Sequence, residues 1–127
     1  MSPISSQAPR PAAVIYSAVV GHIVLHRRKF RGLNQAAVAG AIGVSQSAYS
    51  RMEAGAIPIT LEALEKVSAV LGCTPNEILQ EADGHVQTLK SQGVMVVGGA
   101  ELRKQPELGA ALVLGLALLA ALIAAAR

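Results

Sequence analysis

The side chains with the clearest chemical potential lie together in one short segment, residues 46–53. Gln46 can form a paired hydrogen bond with the edge of an adenine, and Arg51 can reach a guanine or a phosphate. Ser47 and Ser50 are short donors and acceptors that let a helix lie deep in a groove. If the segment is a helix presented by a second helix, we expect it to read double-stranded DNA.

The other reactive side chains do not form a recognisable catalytic or metal site. His22 and His26 have a four-residue spacing that can grip a metal, but no cysteine, aspartate or glutamate lies nearby in sequence to complete the ligands. Cys73, the single cysteine, is predicted to be a small core residue, with a redox switch as the alternative. Paired carboxylates, a nucleophile with its base and a phosphate-binding glycine loop are all missing from the sequence. We therefore predict no metal, no cofactor and no enzymatic activity.

Length and composition indicate a small helical protein. A chain of 127 residues corresponds to one small domain with an appendage. Hydrophobic residues make up 52% of it and charged residues 15%, which excludes an acidic disordered chain. Tyr16, Phe30 and Tyr49 are the only aromatic residues, too few for a platform that stacks single-stranded nucleic acid or for a β-sandwich. The single cysteine fits a reducing compartment.

Charge is distributed unevenly along the chain. The first 52 residues contain six arginines or lysines and no acidic residue, whereas residues 53–82 contain five glutamates against Lys66 alone. This separation predicts one face that attracts a polyanion and another that repels it. Chance clustering on a solvated surface is the alternative.

Helix-start and helix-stop residues divide the chain into a compact all-α domain over residues 12–82. Asn, Ser or Thr can cap the second, third and fourth helices, glycines end them, and Thr74-Pro75-Asn76-Glu77 is a capping box for the fifth. The predicted helices cover residues 12–30, 35–41, 46–53, 61–71 and 77–82.

The segments on either side of this domain read as irregular. Residues 1–11, rich in proline and serine, are predicted to be a disordered lead-in and not a signal peptide. Residues 83–106 are predicted to be a flexible linker. Within it, residues 93–98 have strand-like composition but no visible partner strand, so we expect them to be extended or irregular.

The second and third predicted helices have the sequence form of a helix-turn-helix. Ala39 is small where the two helices would cross, and Gly43 lies where the turn requires a left-handed residue. The apolar wedge between the helices consists of Val38, Ile42, Val44, Tyr49 and Met52.

Residues 17–79, about half of the chain, resemble the phage-repressor (Cro/CI, XRE) helix-turn-helix family. The resemblance implies a five-helix lambda-repressor-like domain whose third helix enters the major groove of DNA. It also implies a sequence-specific transcription regulator that binds as a homodimer. The matching motifs are Arg28, Gly32-Leu33-Asn34-Gln35, Gly43-Val44-Ser45-Gln46-Ser47, Ser50-Arg51-Met52-Glu53-Ala54-Gly55, Pro58, Thr60-Leu61-Glu62-Ala63-Leu64 and Leu71-Gly72.

The resemblance further implies roles for individual residues. Gln35 matches a glutamine that contacts phosphate and braces the first residue of the recognition helix, here Gln46. Arg28 and Glu53 match a semi-buried ion pair, and Tyr49 matches a core position. The alternatives are that Gln46 and Ser47 are ordinary solvated residues at a helix start, and that Arg51 pairs with a nearby acid. The residues predicted to bind DNA are Gln35, Ser45, Gln46, Ser47, Ser50, Arg51, Lys29 and Arg31.

One departure from the family concerns the loop after the third helix. The family often carries a lysine or arginine there that clamps a phosphate, but residues 55–59 are uncharged. Because each lost phosphate contact weakens binding, we expect Lys29 and Arg31 to compensate, and a dimer or a local tether to aid occupancy.

The C-terminal segment is a run of 19 apolar residues that begins at Leu108 and ends at Ala126. As a helix it would be about 28 Å long, close to the roughly 30 Å of a bilayer's hydrocarbon core. It has no polar face, so nothing predicts that one side packs on the domain. We predict a membrane span, with Arg103 and Lys104 on the cytoplasmic side. A helix buried in a dimer or packed on the domain is the alternative.

These features favour a DNA-binding transcription regulator tethered to the inner membrane with its domain in the cytoplasm. One alternative is a membrane-anchored scaffold that uses the same fold to bind a protein, which the uncharged loop favours. Another is a soluble antitoxin-like repressor whose tail contacts a toxin. The presence of Gln35, Gln46 and Arg51 favours DNA over a protein as the partner of the domain.

Overall fold

The computed structural model describes residues 12–125, so the predicted lead-in over residues 1–11 lies outside the described residues. The described part is mainly helical, as predicted, with two short strands in addition. The elements are β1 (Ala13–Ile15), α1 (Tyr16–Phe30), α2 (Gln35–Ile42), α3 (Gln46–Ala54), α4 (Leu61–Leu71), α5 (Pro75–Ser91), β2 (Met95–Val97), α6 (Gly99–Lys104), a 3-10 turn (Pro106–Leu108) and α7 (Gly109–Ala125). We call residues 12–97 the head.

Side-chain caps fix the starts of α2 to α5. Asn34, Ser45 and Thr60 each accept a hydrogen bond from the backbone amide three residues later, at 2.8, 3.1 and 3.1 Å. Thr74 and Glu77 form the predicted capping box, in which Thr74 Oγ1 lies 3.2 Å from the Glu77 amide. These caps satisfy amides that have no partner inside a helix, so the predicted helix starts from α2 to α4 are confirmed.

Helix α1 lies at the centre of the head and packs against α3 and α5. Val19 and Ile23 are completely buried on its inner surface. Gly21 permits a close crossing with α3, because a Cβ atom at this position would lie 2.5 Å from the carbonyl oxygens of Met52 and Glu53. This crossing sets the position of the end of α3.

We expect Gly21→Ala to destabilise the head by about 1–3 kcal/mol, because the added methyl group meets backbone atoms that cannot move aside. Gly84 provides a matched control, since it lies in α5 and a Cβ atom added there would have no neighbour within 4 Å. Gly84→Ala should stabilise the protein by about 0.5–1 kcal/mol. Urea unfolding followed by far-UV circular dichroism measures both effects. Equal effects of the two substitutions would contradict the close crossing.

Strands β1 and β2 form a parallel pair that was not predicted. Ala13 lies opposite Met95, and the Met95 amide donates a 2.9 Å hydrogen bond to the carbonyl oxygen of Ala12. The helix predicted from residue 12 begins only at Tyr16. Residues 93–98 were expected to be extended or irregular, without a partner strand; they include an extended strand, as expected, but it does have a partner in β1. Each strand finds its partner at the far end of the helical domain, and local patterns do not show this.

Helix α5 is longer than predicted and continues to Ser91 instead of ending at Ala82. Its apolar periodicity continues beyond Ala82, since Val86 and Leu89 are also buried. With β2 and α6 following, most of the segment predicted as a flexible linker, residues 83–106, is helix or strand.

Helix α7 packs one face against the head, mainly against β1 and also against α1 and α5. Ala111, Gly115, Leu119 and Ile123 are buried at intervals of four residues. This packing on the domain is the alternative to a membrane span that the sequence left open, although the absence of a polar face gave no sign of it. The two faces of α7 do not differ in polarity, so the polarity pattern of the sequence does not reveal which face packs on the head.

Candidate nucleic-acid interface

The outer face of α3 carries four polar residues, Gln46, Ser47, Ser50 and Arg51, which we call the recognition face. Three of these residues are exposed and Ser50 is half-buried. The opposite face of the helix points into the head, where Tyr49 and Glu53 are buried. The structure therefore places the four predicted base-reading residues on one side of one helix.

The side chains of the recognition face are available for an external partner. Gln46, Ser50 and Arg51 form no side-chain hydrogen bond or ion pair with other described residues. The Ser47 hydroxyl lies 3.4 Å from the Ser45 hydroxyl, which in turn caps the amide of Ala48. Within the described residues, Arg51 has not formed the ion pair that was its alternative role.

The turn between α2 and α3 sets the angle at which α3 is presented. Gly43 has a φ of +79° and ends α2 in the left-handed conformation, as predicted. The Val44 amide closes the turn by donating to the carbonyl oxygen of Ala39 at 3.0 Å. The first turns of α2 and α3 contain amides without helical partners, and such amides can bind phosphate.

A buried ion pair joins the end of α1 to the end of α3. Arg28 Nε and Nη2 donate to the two carboxylate oxygens of Glu53 at 2.6 and 3.0 Å. Arg28 Nη1 also donates to the carbonyl oxygen of Leu33 at 2.8 Å, which ties the pair to the α1–α2 turn. Arg28 is 7% exposed and Glu53 1% exposed, so water does not screen this interaction.

Gln35 belongs to the same network, which sequence reasoning missed. Its Nε2 donates to Glu53 Oε1 at 3.0 Å, and no hydrogen bond to Gln46 is present among the described residues. The expected brace from Gln35 to Gln46 is therefore not formed in this structure. The sequence signal for Gln35 came from the family resemblance alone, and nothing in local spacing links it to Glu53.

Burial and hydrogen bonding act against each other on Glu53. Burial alone would raise the pKa of its carboxyl group, but the hydrogen bonds from Arg28 and Gln35 reverse this and hold the pKa below its ordinary value. Tyr49 is buried beside this network, as predicted for a core residue, and burial raises the pKa of its hydroxyl.

We expect the stability of the head to fall in acid through Glu53. Because the pKa of Glu53 is lowered in the folded state, its contribution is complete above the unfolded pKa of about 4.3 and is lost as the pH falls through the folded value. Urea unfolding across this pH range should show a steeper loss for the wild type than for Glu53→Gln. Parallel curves for the two proteins would contradict this role.

Some of the basic residues at the C-terminal end of α1 and just after it already bind partners within the head. Arg27 pairs with Glu81 at 2.9 Å, and Arg31 Nη1 donates to the carbonyl oxygen of Leu71 at 3.1 Å, at the end of α4. Lys29 is exposed and has no side-chain partner among the described residues. Of the two residues expected to compensate for the uncharged loop, Lys29 is uncommitted, and Arg31, which is exposed, keeps its other guanidinium N–H groups for a phosphate.

The loop after α3 packs closely against α1. Gly55 has a φ of +76°, and a Cβ atom there would lie 2.5 Å from the Cα atom of Ala18. Ala56 and Pro58 are exposed, and no charged side chain is present in residues 55–59. Arg51 is therefore the only positively charged side chain that residues 46–59 can offer to a phosphate.

His22 and Cys73, the remaining candidates for metal or redox chemistry, are both half-buried. The Nδ1 atom of His22 lies 2.8 Å from the carbonyl oxygen of Ala18. No group of three or more potential metal ligands was found within the part of the chain that the structure describes. Cys73 is half-buried, and this burial raises the pKa of its thiol, which disfavours the reactive thiolate.

Comparison with known proteins agrees with this geometry. Residues 26–78, which include all of α2, α3 and α4, match the family model described as Helix-turn-helix. Among the curated proteins, none is significantly similar to this chain.

Two solved structures of the clp gene regulator ClgR from Corynebacterium glutamicum are similar to this chain. One is 28% identical, with a TM-score of 0.52, and the match covers 54% of this chain and 90% of that one. The other is 26% identical, with a TM-score of 0.58, and the match covers 66% of this chain and 86% of that one. The family match and the fold together show that residues 26–78 form a helix-turn-helix domain, similar to those of the phage-repressor (XRE) family.

Proposed function

We propose that this protein regulates transcription by binding double-stranded DNA sequence-specifically through the recognition face. The observation that carries the proposal is that Gln46, Ser50 and Arg51 are unpaired among the described residues, on a helix whose other side is locked by a buried ion pair. A helix held in this way presents its side chains in a fixed geometry, so little freedom is lost when they meet base edges.

The contacts divide by chemistry into base reading and phosphate binding. Gln46 is suited to adenine and Arg51 to guanine, with Ser47 and Ser50 as short hydrogen-bonding groups beside them. Lys29 and the amides at the starts of α2 and α3 are suited to phosphates. Gln35 and Arg31 already bind Glu53 and the Leu71 carbonyl oxygen inside the head, so they can contribute only their remaining hydrogen-bonding groups.

We further propose that the protein binds DNA as a homodimer. The uncharged loop over residues 55–59 leaves one head with few phosphate contacts, so a single half-site is expected to bind weakly. Two heads on half-sites one helical turn apart would combine their affinities and read a palindrome.

Helix α7 is proposed to attach the protein to the inner membrane, with the head in the cytoplasm. The helical segment Pro106–Ala125 has 20 residues; its most apolar window has a mean hydropathy of 2.6, and 28% of that window is buried. Its length matches a bilayer, and Arg103 and Lys104 precede it on the side predicted to remain in the cytoplasm.

Selection from a random library of double-stranded oligonucleotides tests the DNA-binding proposal. The full-length protein should enrich a short motif with two related half-sites. Gln46→Ala/Arg51→Ala, which changes only exposed side chains, is the control and should enrich no motif. Recovery of no motif by the wild type would reject sequence-specific binding.

That negative result would favour the second candidate, a membrane-anchored scaffold whose head binds a protein. The exposed and uncharged surface at Ala56 and Pro58, beside the recognition face, is the observation that favours it.

A further inference from the structure

Helix α7 is apolar all round, but side-chain size divides it into two faces. Every leucine and isoleucine from Leu112 to Ile123 is buried or half-buried; we call these seven residues the leucine face. The exposed positions are alanine or glycine, with Val113 as the single larger residue: Gly109, Ala110, Val113, Ala117, Ala120, Ala121, Ala124 and Ala125. The larger side chains therefore lie toward the head, together with Ala111 and Gly115, and the outward positions are small except for Val113.

The contact between α7 and the head depends on Gly115. A Cβ atom at this position would overlap the carbonyl oxygen and the carbonyl carbon of Ala13, so any side chain would push α7 away from β1. Ala13 itself is completely buried in this contact. The two backbones touch directly, which makes Gly115 a position where packing can be blocked by one substitution.

The contact is also incomplete. Leu112 and Leu116 line an open apolar pocket of about 270 Å³ between α7 and the turn at Ala54 and Gly55. Because the pocket is open to solvent, these leucines are only partly removed from water, so separating α7 from the head loses less than separating a fully buried helix.

A helix packed in this way cannot span a bilayer at the same time. The residues that contact the head run from Ala111 to Ile123, about 18 Å of the helix axis. A spanning helix needs lipid around its whole hydrocarbon section of roughly 30 Å. A head bound along most of α7 would have to lie inside the bilayer together with its hydrogen-bonded loops and ion pairs, which lipid does not tolerate.

We propose that the leucine face of α7 exchanges between two partners, the head and a lipid bilayer, so that membrane attachment requires release of α7 from the head. The inference rests on the membrane attachment included in the proposed function. Release would uncover β1, so the membrane-bound form has a more open head around Ala13 while α2 and α3 keep their structure.

Two glycine substitutions of equal hydrophobicity test this exchange. Gly115→Val blocks packing against Ala13. Gly109→Val adds the same side chain at an exposed position of the same helix, where a Cβ atom would have no neighbour within 4 Å. Full-length proteins are mixed with vesicles of equimolar phosphatidylethanolamine and phosphatidylglycerol and separated by flotation. We expect the ratio of bound to free protein to be about tenfold higher for Gly115→Val than for Gly109→Val.

Equal binding of the two variants would overturn the exchange. Absence of binding by the wild type and by both variants would also overturn it and would remove the membrane part of the proposed function. DNA selection with the same proteins reports separately on the DNA-binding part.

A second measurement uses the wild-type protein in case Gly115→Val does not fold. Hydrogen exchange read by mass spectrometry should show faster exchange of the amides in β1 and β2 when vesicles are added, with unchanged exchange in α2 and α3. Vesicle binding with unchanged exchange in β1 and β2 would contradict the release of α7.

Discussion

Glu53→Ala is expected to destabilise the head by about 3–5 kcal/mol, the largest effect of any single substitution proposed for this protein. The substitution leaves the Arg28 guanidinium buried without its counter-charge and removes the acceptor of Gln35. Both groups would have to find water or other partners inside a packed region. Urea unfolding of the full-length protein, followed by far-UV circular dichroism because the chain contains no tryptophan, measures the loss.

Two further proteins separate the ion pair from general effects of substitution. Glu65→Ala removes a glutamate from the exposed surface of α4 and should change stability by less than about 0.5 kcal/mol. The double variant Arg28→Met/Glu53→Leu removes both charges and should recover much of the loss, because no unpaired charge is left buried. A cost for Glu53→Ala no larger than that for Glu65→Ala would show that the pair does not hold the head together.

The second large effect is on DNA binding. Gln46→Ala should weaken binding to the selected DNA site by about 1–3 kcal/mol and relax the preference at one base pair of each half-site. The physical reason is the loss of a paired hydrogen bond to a base edge, made by a side chain that is exposed and makes no hydrogen bond within the described residues. Fluorescence anisotropy with the selected site and with single-base variants measures both consequences.

Gln80→Ala is the matched control, since Gln80 is an exposed glutamine on α5 and not on the recognition face. It should bind all DNA variants as the wild type does. A uniform loss of affinity for Gln46→Ala across all sequences would assign this residue to phosphate binding. Binding that is unchanged at every base would remove Gln46 from DNA recognition.

Much of the helical domain could be predicted from sequence because its signals are local. Asn34, Ser45 and Thr60 cap the helices that directly follow them, and Gly43 ends α2 by its own backbone conformation. Each of these features involves residues within a few positions of one another. The four-residue spacings of Gln46 to Ser50 and of Ser47 to Arg51 likewise make each pair neighbours on the helix surface as soon as the segment is helical.

The features that could not be predicted depend on contacts between distant parts of the chain. The partner of β1 lies beyond five helices, and Gln35 meets Glu53 only after α2 and α3 have packed. The position of α7 depends on close contact between Gly115 and Ala13, which no pattern of polarity within the helix reveals. In this protein, local chemistry predicts the capped helices, while non-local packing decides the strand pairing, the position of α7 and which side chains remain available.

The central claim is that the recognition face reads specific DNA sequences, and crosslinking in cells tests it most directly. The full-length tagged protein is crosslinked to DNA in cells, and the recovered DNA is sequenced beside that recovered with Gln46→Ala/Arg51→Ala. We predict a small number of sharp peaks that share a short palindrome and are lost in the double variant. Enrichment that is no greater for the wild type than for the double variant would contradict the claim.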